Sequence, residues 1–319
     1  VNDRDPSSTL WAVTSYFNPA GYQSRLRNYR VFRRHLSMPL LAVELSFDGH
    51  FALQPEDADL LVRFRVGDVL WQKERLLNAA WSRLPAHCTQ VAWVDCDVVL
   101  THPRWVAQAR AGLLRHKLLH GFTTLRHLPP GAAVDGTGPA HTAGLPEQMS
   151  VVHRMHQQGS ATEVFSGVLT RAHGAPTPGI AWVAWRDWLR HVRLFDACVV
   201  GGGDTAFAAA VLGVPQQAVA LHAMGPRQRD HYLQWADTPG LVSGRDVGCL
   251  PGEVLHLWHG SMADRRSRER HARLAHTGFD PRRDLVADAD APWRWADPAA
   301  AAARYVGAYF QDRNEDAVA

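Results

Sequence analysis

Val91-Ala92-Trp93-Val94-Asp95-Cys96-Asp97-Val98-Val99-Leu100 runs apolar and β-branched up to two carboxylates one residue apart, then apolar again. Such a run reads as a buried strand of a parallel sheet, covered on both faces. Side chains alternate along a strand, so positions 95 and 97 are expected on one side, at its carboxyl end. Two acids so placed repel each other unless a cation or a ligand donor sits between them. Short oxygen ligands suit a hard divalent ion, Mg²⁺ or Mn²⁺, which keeps positions open for substrate phosphates. The competing reading is a turn after the strand, where Asp is common. Turn acids seldom sit inside an unbroken apolar run.

The segments on either side fit the same sheet. Leu10–Tyr16 reads as a first strand, and Asn18-Pro19-Ala20-Gly21 as a turn opening a helix over residues 22–36. Leu40–Leu45 and Leu60–Phe64 are further strands. Leu70–Leu84 shows helical spacing, with Leu70, Leu76, Leu77, Ala80, Trp81 and Leu84 on one broad face. Strands alternating with helices predict an α/β fold with a parallel sheet, whose ligand crevice lies at the carboxyl ends of the strands. Residues 126–150, rich in Pro, Gly and His, show no periodicity and read as a mobile active-site loop or a disordered insertion. Val254–Gly260 is a late short strand. A final helix from Pro298 to about Arg313 carries Tyr305, Val306, Tyr309 and Phe310 on a docking face.

Composition narrows the function classes. The 319 residues suffice for one large domain or two smaller ones, and 46% hydrophobic with 20% charged residues is ordinary for a globular chain. A formal charge of +3 without a basic block gives no case for a nucleic-acid partner. No apolar run approaches the roughly eighteen residues of a membrane span, and residues 1–9 are too polar for a signal peptide. Cys88, Cys96, Cys198 and Cys249 form neither a disulfide framework nor zinc spacing, so reduced thiols in a cytoplasmic setting are expected.

Two further constellations carry chemistry. In Gly201-Gly202-Gly203-Asp204 the glycines let backbone approach a ligand closely. Asp204 then either caps the helix Asp204–Leu212 or serves as a general base at the crevice mouth. His256 and His259 each suit a metal ligand beside carboxylates, or a hydrogen-bonded structural histidine. Three residues apart on a strand they face opposite ways, so one of the two is expected to ligate.

Trp71-Gln72-Lys73-Glu74-Arg75-Leu76-Leu77-Asn78-Ala79-Ala80, followed by Val94-Asp95-Cys96-Asp97, resembles the central block of metal-dependent GT-A glycosyltransferases. It is closest in motif order to the β-1,4-galactosyltransferase type, where a basic-x-basic-Leu-Leu-Asn helix precedes a strand ending Asp-Val-Asp. Gly201-Gly202-Gly203-Asp204 is similar to that family's Gly-rich acceptor-site turn, and His256-Leu257-Trp258-His259-Gly260 to its late metal-binding segment. The resemblance spans roughly residues 10–275 and lies in motif order and spacing. It implies a GT-A fold, a Rossmann-like, mostly parallel sheet flanked by helices, as a single domain over residues 1–319. Residues 10–125 would be the nucleotide-sugar half, 126–275 the acceptor half and 276–319 a helical tail. It also implies a nucleotide-sugar donor such as a UDP-sugar, a hydroxyl-bearing acceptor such as a carbohydrate, and Mn²⁺ or Mg²⁺.

The family's functional residues map onto several positions of this chain. Asp95, Asp97, His256 and His259 would supply the metal ligands. Thr14, Tyr16, Asn18, Lys73, Arg75 and Asp95 would contact the donor. Asp204 would be the base of an inverting transfer, Gly202 and Gly203 would meet the acceptor, and Trp182 and Trp185 would either form an apolar platform for its sugar ring or, the stronger reading, fill the core. This chain lacks the family's Trp in the Gly-rich turn and has Asp204 alone in place of its acidic run. Its first strand ends Tyr16-Phe17-Asn18-Pro19, without the usual basic contact to uridine, so uridine follows from the fold type alone. The rival readings are a haloacid-dehalogenase-like phosphatase with Asp95 as nucleophile and a catalytically inactive GT-A binding domain. The phosphatase motif normally opens the chain, whereas about ninety residues precede it here.

Overall fold

The computed structural model describes residues 7, 9–132, 134, 144–170, 175–242, 244–261, 264–266 and 269–316. In chain order its strands are β1 Leu10–Phe17, β2 Leu40–Leu45, β3 Leu60–Phe64, β4 Gln90–Val94, β5 Val98–Leu100, β6 Leu118–His120, β7 Thr124–His127, β8 Glu147–Met149, β9 Ala181–Trp185, β10 Val247–Cys249, β11 Glu253–His256, β12 Leu285–Val286 and β13 Arg294–Trp295. Its helices are α1 Gln23–His35, α2 Lys73–Ala80, α3 Trp105–Leu113, α4 Val151–Gln158, α5 Ala161–Thr170, α6 Arg186–Val192, α7 Gly203–Val211, α8 Pro215–Leu221, α9 Pro226–Ala236, α10 Glu269–His276, α11 Pro281–Asp284 and α12 Ala301–Gln311.

Seven strands form the main sheet in the order β10-β6-β9-β4-β1-β2-β3. All of them run parallel except β9, which is antiparallel to both β4 and β6. The fold is thus mixed α/β with a mostly parallel sheet between helices. Both faces of β1 are buried, which explains its unbroken apolar sequence. Trp11, Val13 and Phe17 pack into a core with Leu76, Leu77, Phe207 and Phe310. Leu10, Ala12 and Tyr16 pack on the other side with Tyr29, Phe32 and Trp105.

A second sheet, β5-β11-β7-β8, meets the first at the carboxyl end of β4. Here the structure corrects the reading of residues 91–100 as one strand. The chain leaves the main sheet after Val94, turns through Asp95, Cys96 and Asp97, and enters the second sheet at Val98. Backbone bonds pin the turn on both sides. Asp95 N–H donates to Ile180 C=O (2.8 Å), and Leu257 N–H donates to Asp97 C=O (2.8 Å). The two acids therefore do not share a strand face. The apolar residues after them pack against a different neighbour, a distinction that an apolar count does not contain.

Helix α2 is shorter than the expected 70–84 span, and the final helix begins at Ala301. In the Pro/Gly-rich stretch, β7 and β8 pair antiparallel at its root. The reading of that stretch as a loop falls partly on residues 133 and 135–143, which lie outside the described residues. Past α12 the chain docks back on the start of α1. The Asp316 carboxylate accepts from the backbone N–H groups of Gln23 and Ser24, both at 2.7 Å. This caps a helix that has no acid in its own first turn. Among the described residues no helix is long and apolar enough to cross a membrane.

Candidate active site and metal centre

The strand ends of both sheets, the Gly-rich turn and the C-terminal segment enclose a cavity of about 320 Å³. Two clusters meet in it, one on each side of the Asp95-Cys96-Asp97 turn.

The first cluster gathers on Asp97. His259 Nε2 lies 3.0 Å and His256 Nε2 3.9 Å from Asp97 Oδ2, and the two imidazole nitrogens are 3.1 Å apart. One potential ligand atom from each of the three residues falls within 4.8 Å of the others. The expectation that the two histidines face opposite ways is corrected. Strand β11 stops at His256, and beyond it the backbone leaves strand geometry and brings His259 round to the same carboxylate. The orientation of His256 is set from behind. Parallel pairing of β11 with β7 places His127 opposite it, with Nδ1 to Nδ1 at 3.0 Å, and His127 Nε2 meets Gln148 Oε1 at 3.0 Å. Partners of this kind fix the ring orientation of metal-binding histidines.

Burial disfavours charge on both histidines, and the nearby Arg265 adds to that, so their pKa values lie below the usual imidazole range against the pull of Asp97. Burial also opposes ionisation of Asp97, but His259, His256 and Arg265 outweigh it and hold the carboxyl far below its ordinary value. An ionised carboxylate beside two neutral imidazoles is the protonation state that metal binding requires. Asp97 Oδ1 is buried without a hydrogen-bond partner among the described residues. Orphaned oxygen and clustered nitrogens together fit a divalent cation that accepts mixed N and O ligands.

The second cluster gathers on Lys73, one of only two lysines in the chain. Its Nζ donates to both carboxylate oxygens of Asp204 (2.9 and 2.8 Å) and lies 2.5 Å from Asp95 Oδ1. Burial alone would discharge this lysine, but Asp204 and Asp95 more than offset it and raise its pKa well above the ordinary value. Asp95 thus contacts an ammonium group and stands apart from the Asp97, His256 and His259 cluster. Asp204 is also not the helix cap. Gly202, at φ 95°, takes the cap position of α7, which leaves the Asp204 side chain for Lys73.

Tight contacts keep the Gly-rich turn and its neighbours in place. A Cβ on Gly202 would lie 2.7 Å from His222 Nε2, and one on Gly203 would lie 2.2 Å from the Glu74 carboxyl carbon. Glu74 is 4% exposed, and burial pushes its pKa up to about 8 against the pull of Lys73. Ile180, at the cavity wall, has φ 85°. For a β-branched residue this is strained backbone, of a kind that costs about 1–3 kcal/mol and concentrates at functional sites.

The remaining expected residues divide. Thr14, Tyr16 and Gly202 line the cavity, with Thr14 Oγ1 donating to Val94 C=O at 2.7 Å. Asn18 does not reach it; its amide closes the turn to Tyr22. Arg75 points the other way, donating to the carbonyls of Ala291 (2.6 Å) and Asp288 (2.9 Å) and stacking on Trp293. Asn78 braces Leu194 through both its amide nitrogen (2.9 Å) and its oxygen (2.8 Å). Trp182 is 1% exposed and stacked between Trp93 and His120, so it is core rather than a sugar platform. Trp185 pairs with Gln90 at the amino end of β4, the far end of the sheet from the cavity.

Sequence reasoning missed the cavity's arginine wall, formed by Arg25, Arg265, Arg270 and Arg313 with Glu315 among them. The arginine-rich stretch that follows Gly260 was the available signal.

No protein-family model matches the chain, and no curated protein does. Solved structures share part of its outline. Glucosyl-3-phosphoglycerate synthase from Mycobacterium tuberculosis, in complex with Mn²⁺, UDP and glucosyl-3-phosphoglycerate, is 12% identical over 90% of this chain and 86% of its own, with a TM-score of 0.37. S. aureus TarS 1-349, in complex with UDP-GlcNAc, is 12% identical with a TM-score of 0.35. That match covers 62% of this chain and 52% of the TarS chain, about half its length.

Proposed function

We propose that this chain is a GT-A glycosyltransferase, moving a sugar from a nucleoside-diphosphate sugar, a UDP-sugar above all, to an acceptor hydroxyl. The observation that carries this reading is the meeting, in one cavity, of a cation-ready Asp97–His256–His259 cluster and a lysine-held carboxylate pair at the carboxyl end of a parallel strand. Motif order supports a likeness to the β-1,4-galactosyltransferase type, and a cytoplasmic setting is proposed with it.

Asp97, His256 and His259 would hold Mn²⁺ or Mg²⁺. Bound there, the ion supplies charge neutralisation for a departing diphosphate. The chain's own residues do the rest. Thr14 and Tyr16, at the carboxyl end of β1, face the nucleotide. Asp204 accepts the proton of the acceptor hydroxyl as its oxygen attacks the anomeric carbon and the bond to the diphosphate breaks on the opposite face, inverting the centre. Lys73 fixes the direction of the Asp204 carboxylate and balances Asp95.

Thermal unfolding with UDP and Mn²⁺ tests the reading. The two together should raise the melting temperature by several degrees, and Asp97→Ala should remove the gain. Asp204→Asn should keep nucleotide affinity and lose transfer. No shift with any nucleoside diphosphate would overturn the assignment.

A further inference from the structure

One wall of the cavity carries four arginines against a single carboxylate. Glu315 is fully engaged, accepting from Arg25 Nε (2.6 Å) and Nη2 (2.8 Å) and from Arg313 Nε (2.6 Å). Among the described residues neither Arg265 nor Arg270 has a carboxylate partner. Arg270 Nη1 donates to the Tyr309 hydroxyl at 2.8 Å, and Arg313 Nη1 donates to the same oxygen at 3.2 Å. Tyr309 in turn donates to the Arg265 carbonyl at 3.3 Å. Arg265 Nε is buried and has no hydrogen-bond partner among the described residues. Two guanidinium groups thus share one phenol, a third stands on the residue whose carbonyl that phenol bonds, and the one carboxylate on this wall leaves it with an excess of positive charge. Crowding guanidinium groups in a partly desolvated site costs free energy that an oxyanion relieves, and the planar fork of arginine matches phosphate and carboxylate.

The two unpaired arginines serve different stations. Arg265 Nη2 lies 2.9 Å from His259 Nε2, at the proposed metal end. Arg270 Nη2 reaches the Gly-rich turn, where a Cβ on Gly201 would stand 3.5 Å from it. That turn carries Asp204, the proposed base. Glu315 already shows how the wall takes a carboxylate, in a two-pronged contact from Arg25.

We propose that the acceptor is itself an anion, its phosphate or carboxylate group held by Arg270 beside Asp204, while Arg265 is left for the donor's diphosphate. This rests on the glycosyltransferase reading above. Calorimetric titration of the full chain, saturated with UDP and Mg²⁺, with inorganic phosphate and separately with acetate tests it. At least one probe should bind the UDP-loaded protein, and the stronger of the two identifies the group. Arg270→Gln should weaken that binding about tenfold while changing UDP affinity less than about threefold. Should Arg270→Gln not fold, Arg270→Lys should still weaken it measurably, because an ammonium group cannot make the forked contact. Neither probe binding the loaded protein, UDP excluding both, or a variant indistinguishable from the parent would overturn the proposal alone. Absence of UDP binding would remove the parent reading and this one with it.

Discussion

Asp95 and Asp97 are separated by one residue, yet they belong to opposite electrostatic designs. Asp97 faces two neutral imidazoles, with an oxygen left over, so its surroundings have room for a further cation. Asp95 faces an ammonium group that is shared with Asp204. The cation on that side is already part of the protein. A turn that hands the chain from one sheet to the other makes this division possible. A continuous strand would have pointed both acids at the same neighbour. One spacing of acids can thus serve a metal-ready site and a self-neutralised pair at once.

The comparison breaks most visibly at Lys73. Lys73→Ala strands two carboxylates that are each about a quarter exposed (24% and 28%), and should cost about 3 kcal/mol of stability in urea unfolding. The solvent that reaches the acids keeps the loss at the low end for a buried pair. A loss below about 1 kcal/mol would show that the ammonium group is not the counter-ion of the pair.

A smaller effect distinguishes the clusters by pH. Glu74, beside Lys73, is protonated in the fold up to about pH 8 but ionises near its ordinary 4.5 when unfolded. Between those values the folded state binds more protons, so Glu74 makes stability fall as pH rises, by at most about 1.4 kcal/mol per unit. His256 and His259 act in the reverse sense. Their folded pKa values are depressed, so their contribution is full above about 6.5 and is lost as pH falls below it. Glu74→Gln should remove the fall in stability between about pH 4.5 and 8 that Glu74 contributes and leave the slope above that window as it was. An unchanged slope within the window would place the proton elsewhere.

Much of the fold was legible because β1, β2 and β4 are buried on both faces, which leaves long apolar runs. Of the second sheet only β11 was read as a separate strand, since strands of three or four residues are too short to show a period. Within the site, Lys73, Asp97 and the two histidines could be read from motif order. The roles of Arg75 and Asn78 could not. Both hold segments more than a hundred residues away, and sequence spacing carries no record of such contacts. Trp182 stayed open between two roles for a related reason. A tryptophan near a candidate site looks alike in sequence whether it meets a sugar or fills the space beneath the sheet. The arginine wall is built from α1, the stretch after β11 and the C-terminal segment, and only the fold brings them together.

The division between Asp95 and Asp97 is tested most directly by titrating the full chain with Mn²⁺ and following the free ion by electron paramagnetic resonance. The parent protein should bind one ion per chain. Asp97→Ala should weaken binding by about a hundredfold or more, whereas Asp95→Asn should change it less than about fivefold. Binding lost equally in both variants, or no bound ion in the parent, would contradict the account.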